Sequence, residues 1–160
     1  MKLDKKQKAA IGKILKLGDA MTDIAKKLLV EADRANGRGR GLLYGVRAKH
    51  LVRGYQRFLV LRVLHPDKRI RPMAGADALW HAHILDTRRY HADCQAIFGE
   101  YLHHDPGVVD GSQDAAMLEL YREAFAPDAG SKPDATMKPL MLDPDEVAAM
   151  SKPEDCETCA

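Results

Sequence analysis

The sequence predicts an all-α fold. Three observations carry that expectation. Apolar residues recur at three-to-four spacing through several long segments. No segment alternates apolar and polar residues in the way of a half-buried strand. Proline and glycine fall where such helices would stop. The first helix is expected over residues 5–34, where Ile11, Ile14, Leu15, Leu17, Met21, Ile24, Leu28 and Leu29 keep the helical period. Lys5, Lys6, Lys8, Lys13, Lys16, Lys26 and Lys27 take the other face, and Gly18 and Thr22 mark the points at which the helix would divide. "ANGRGRG", Ala35 to Gly41, reads as a basic turn.

The second helix is expected over residues 42–65. Tyr44, Leu51, Tyr55, Phe58 and Leu59 share one face, and Lys49, Arg53 and Arg57 oppose them. Val60 and Leu64 add apolar groups on the far side, so that end should be buried all round. Pro66 stops it, because proline disfavours helical geometry in the residue before it and has no amide donor. A central third helix follows over residues 76–98 and ends at Gly99; a fourth spans 112–125 with Ser112 as its cap. Residues 1–126 thus read as one helical domain. Residues 127–160 read as a linker rich in Pro, Ala, Asp and Gly, a short helix capped by Asp143 with Glu146 three residues on, and a cysteine-bearing tail.

Charge is divided along the chain. Residues 1–75 hold 19 Lys+Arg against 6 Asp+Glu, and the remainder 6 against 17. A basic front and an acidic back can neutralise each other, meet an acidic partner, or stack copies head to tail. No apolar run reaches the length of a membrane span, so no membrane partner is expected. The first residues lack the continuous apolar block of a signal peptide. The expected location is the cytoplasm or the interior of an assembled particle.

The chemistry concentrates in "ALWHAHILDTRRYHADC", Ala78 to Cys94. On one unbroken helix Leu79, His83, Asp86, Thr87, Tyr90, Cys94 and Ile97 share a face, with Asp77, His81, Arg88, His91 and Gln95 roughly opposite. A helical pair of metal-binding histidines needs spacing of three or four, which these histidines lack. A metal set would have to combine His83 and Cys94 with His103 or His104 and would take zinc or another transition metal. The preferred alternative is a buried polar network of His83, Thr87 and Tyr90, which fixes helix register because each buried polar group must find a partner. Asp77 and His81, four apart, can hold a charged imidazole and are read as a surface ladder.

His65-Pro66-Asp67 after a basic helix resembles the loop of co-chaperone J-domains, but the helix pattern that should follow is missing. A longer stretch, about residues 50–125, resembles the GRDP-like (glycine-rich domain-containing protein-like) family. Asp77, Trp80, His81, His83, Tyr90, Asp93, Cys94, Phe98, Gly99, His103, His104 and Pro106 carry the resemblance. It implies a helical fold and nucleic-acid or stress-linked roles, with no established reaction; the glycine-rich extension that names the family is absent here.

Three functions compete. The first, and the one preferred, is a non-enzymatic interaction or assembly protein, such as a component of a virion. Its tail thiols Cys156 and Cys159 would engage a neighbouring subunit by disulfide or shared metal. The second is a metal-binding protein or metal-dependent enzyme built on His83, Cys94 and His103. The third is a nucleic-acid module using Arg38, Arg40, Lys49, Arg53 and Arg57. Catalysis is disfavoured because no nucleophile sits beside a base and no glycine-rich phosphate loop follows a strand.

Overall fold

The computed structural model describes residues 2–36, 44–73, 75–104, 112–126 and 136–142. Five α-helices lie among them, with no strand: α1 Lys5–Ala35, α2 Tyr44–Leu64, α3 Ala76–Leu85, α4 Thr87–Ile97 and α5 Ser112–Phe125. The all-α expectation holds. Two compact units divide the chain, residues 2–108 and residues 109–160. That division falls ahead of α5, whereas the sequence reading placed it after residue 126. Arg38, Arg40, the short helix expected from Asp143, and both tail cysteines lie outside the described residues.

In the first unit α1 packs on α2, α3 and α4, and α2 packs on α3. A capping box starts α1: the Asp4 carboxylate accepts from the Gln7 amide at 2.8 Å, and the Gln7 side chain accepts from the Asp4 amide at 3.1 Å. The helix then runs unbroken to Ala35. Gly18 therefore does not divide it. It serves instead as a point of close approach, since a Cβ there would lie 2.5 Å from Gln56 Nε2. The space left open lets the buried Gln56 amide donate to the Ile14 and Leu15 carbonyls. Asp33, also buried, receives Arg47 of α2 at 3.0 Å.

Ile11, Ile14, Met21 and Ala25 of α1 are fully buried. Every residue of α2 from Tyr55 to Leu61 is buried, so the helix is enclosed on all sides there, one turn earlier than its apolar pattern suggested; Leu64 is half-buried. Enclosure also buries Arg57, which the sequence reading had placed on the basic surface. Lys49 is exposed and Arg53 half-buried.

The expected helix over residues 76–98 is two helices. Asp86 adopts φ −81° and ψ 69°, close to an inverse γ-turn. Its amide donates to the His83 carbonyl, and its carbonyl accepts from the Tyr90 amide to start α4. Aspartate suits such a break because its short polar side chain favours non-helical backbone. Gly99, at φ 80°, ends α4 as expected, since only glycine enters that left-handed region without strain.

In the second unit the Tyr121 and Phe125 rings meet at 6.0 Å, and the Leu142 amide donates to the Phe125 carbonyl at 2.9 Å. Met137, Leu140 and Leu142 are buried. No helix among the described residues is long and apolar enough to cross a membrane.

Candidate metal centre

Asp77 and His81 stand four apart on α3, so their side chains emerge one above the other on the same face. The Asp77 carboxylate lies 3.4 Å from His81 Nδ1. The third member comes from outside the helix. After α4 the chain turns at Gly99 and runs back, bringing His104 Nε2 to 2.7 Å from His81 Nε2. Two neutral imidazoles at that distance share one proton, one ring donating and the other accepting. Each of the three side chains offers a ligand atom, and the three atoms lie within 4.8 Å of one another. Trp80 forms the floor of this cluster. Its ring stacks almost parallel to His81, 6.5 Å between centroids, and sits 4.7 Å from the ring of His104. Phe58 backs the indole from the core side at 4.7 Å.

A second network lies beneath. His83 is fully buried, and both its ring nitrogens are engaged: Nδ1 with the Tyr55 hydroxyl at 2.8 Å, Nε2 with the Asp93 carboxylate at 3.1 Å. Arg89 stands 3.6 Å from the same carboxylate. Burial lowers the readiness of His83 to take a second proton, and the nearby Asp93 only partly offsets this. Tyr90, also buried, accepts from the Trp80 indole N–H at 2.9 Å and donates to the Leu102 carbonyl at 2.6 Å. Cys94 is a free, buried thiol, and burial pushes its pKa up. Burial likewise raises Tyr55 and Tyr90 well above the ordinary phenol range.

This arrangement sorts the residues singled out from the sequence differently. His83, Tyr90 and Cys94 do face the interior together, but Thr87 is exposed and outside the network. The Asp86 break re-aims α4, so Asp93 rather than Thr87 meets His83. With both nitrogens occupied, His83 has no lone pair left for an ion, and Cys94 is buried. His103 and His104 part company: His104 joins His81, while exposed His103 stands 4.9 Å from Tyr101. His103 lines a cavity of about 570 Å³ between the start of α1, the end of α2 and the segment after α4.

A model of the UCP032817-like family matches residues 40–129. The chain belongs to the UCP032817-like family. This corrects the GRDP-like resemblance, because the histidine-rich run that carried it falls inside the matched span. No curated protein and no solved structure matches the chain. The UCP032817-like span contains α2 to α5 and with them every residue of both networks; α1 lies outside it.

The sequence suggests only a surface ladder for Asp77 and His81; the structure adds His104 to the pair. The signal was present, since an acid and a histidine four apart satisfy the helical ligand spacing.

Proposed function

We propose that this chain is a metal-binding helical protein that holds one divalent transition-metal ion through Asp77, His81 and His104. The observation that supports this reading most is the meeting of His81 Nε2 and His104 Nε2 at 2.7 Å, from two different elements, beside the Asp77 carboxylate. Two imidazoles and a carboxylate form a nitrogen–oxygen set suited to zinc, ferrous iron, cobalt or nickel rather than to the soft cuprous ion. An ion bound there takes the Nε2 lone pair of each ring, and the ring that donated carries its proton on Nδ1 instead. Tetrahedral zinc holds its nitrogens at about 2.0–2.1 Å, which would part the two rings slightly. His81 and Asp77 are each about half exposed, at 49% and 46%, so the remaining coordination positions face solvent and take water. Three protein ligands with an open position is the pattern of a site whose ion or bound water can exchange.

The test is equilibrium dialysis of chelator-stripped protein against zinc. One ion per chain is expected for the wild type, with binding lost in His81→Ala and in His104→Ala. A wild type that retains no zinc, or alanine variants that bind as well as wild type, would sink the reading. Assembly through Cys156 and Cys159 has weaker support, because both thiols lie outside the described residues. Oligomers that disappear with reductant or salt would favour it.

A further inference from the structure

We infer that Tyr90 is a positioning residue for this centre, its hydroxyl locking Trp80 to Leu102 and so holding His81 and His104 at a fixed separation. The inference rests on the metal reading above. Tyr90 touches neither ligand directly. Its hydroxyl makes two hydrogen bonds, and each reaches a piece of chain that carries a ligand. The Trp80 indole N–H donates to it at 2.9 Å, and Trp80 precedes His81 on α3. The hydroxyl donates in turn to the Leu102 carbonyl at 2.6 Å, two residues before His104.

The same indole lies under both imidazoles, so fixing its orientation fixes the surface against which they pack. A tyrosine serving only as core filler would need no such pair of partners, since a phenylalanine fills nearly the same space. Removing the hydroxyl leaves a buried indole N–H and a buried carbonyl without their partner. The segment carrying His104 then has no polar anchor from Tyr90, while all three ligands remain present. Groups that orient metal ligands from outside the coordination shell typically change affinity by about 10–100-fold.

The experiment titrates cobalt(II) into stripped wild type, Tyr90→Phe, Trp80→Phe and Ile14→Val, read by visible absorption of the bound ion. Ile14 lies in the core on α1 and supplies a destabilised control without a role at the site. Helical content by circular dichroism establishes that each titrated sample is folded. Tyr90→Phe is expected to bind cobalt on the order of 10–100-fold more weakly than wild type, with an altered ligand-field spectrum. Ile14→Val should keep both affinity and spectrum. A merely structural tyrosine would lower the unfolding midpoint of Tyr90→Phe and leave cobalt affinity of the folded protein unchanged, and that result overturns the inference. Should Tyr90→Phe fail to fold, Trp80→Phe decides, because it keeps an aromatic ring in the floor while removing the indole donor, at the cost of some packing area. Wild-type affinity in that variant likewise overturns it. Absence of cobalt binding by the wild type itself would instead remove the metal reading and this inference with it.

Discussion

Trp80 is the side chain at which the core and the candidate site meet. One face packs on Phe58, the other carries His81 and His104, and the indole N–H is satisfied by Tyr90. Its relative exposure is 6%. Trp80→Ala is therefore expected to cost about 3–5 kcal/mol, the range for truncating a buried large aromatic, measured by urea unfolding. A variant as stable as wild type would show that the indole is not part of the core. Cys94 gives a second outcome at this scale. A thiol reagent should reach it only after denaturation, and rapid labelling of Cys94 in the native protein would contradict its burial. Cys94, Tyr55 and Tyr90 all have folded pKa values raised by burial, so each holds its proton more tightly folded than unfolded. The stability they contribute is complete below their unfolded pKa values, about 8.5 for cysteine and about 10 for tyrosine. It is lost as pH climbs from there towards the higher folded values. Denaturant midpoints should accordingly fall above about pH 8.5, and Tyr55→Phe should flatten the part above about pH 10. A wild-type midpoint unchanged across that range would contradict the burial of these groups.

Helix existence was legible element by element, because a helix that buries one face must repeat its apolar residues every three or four positions. Helix continuity was not. Gly18 looked like a break and is a contact; Asp86 looked like a face position and is a break. The difference lies in tertiary neighbours that a sequence does not print. Gly18 is kept small by the Gln56 amide from α2, and Asp86 bends where Tyr90 and His83 each gain a hydrogen bond to it. This yields a paired test on α1. Gly12 has nothing within 4 Å of an added Cβ, so Gly12→Ala should stabilise by up to about 1 kcal/mol through helix propensity. Gly18→Ala gains the same propensity but displaces the Gln56 amide from two carbonyls, a loss of about 1–3 kcal/mol for a buried group left unpaired. Its net effect should be neutral to destabilising, clearly below Gly12→Ala in thermal melts. Equal stabilisation by the two would show that Gln56 moves aside freely.

For the molecule as a whole, fold class followed from sequence, and the site followed only in part. The Asp77–His81 spacing lies within one helix and was visible there. Its third member was not, because His104 arrives through a turn and a return segment whose course depends on Gly99 and on the anchoring of Leu102 by Tyr90. The helical-face pattern also needs an unbroken third helix; with the break at Asp86, Asp93 takes the place beside His83 that the pattern gives to Thr87. Burial withdraws Arg57 from the basic surface that the sequence pattern assigns to it. The central claim is a nitrogen–oxygen metal centre on α3, built without any cysteine. X-ray absorption at the zinc edge of the loaded full-length protein tests it most directly. The expected shell holds two imidazoles and oxygen ligands at about 2.0–2.2 Å and no sulfur. A zinc–sulfur shell near about 2.3 Å would place the ion on Cys94 or the tail thiols instead and contradict the assignment.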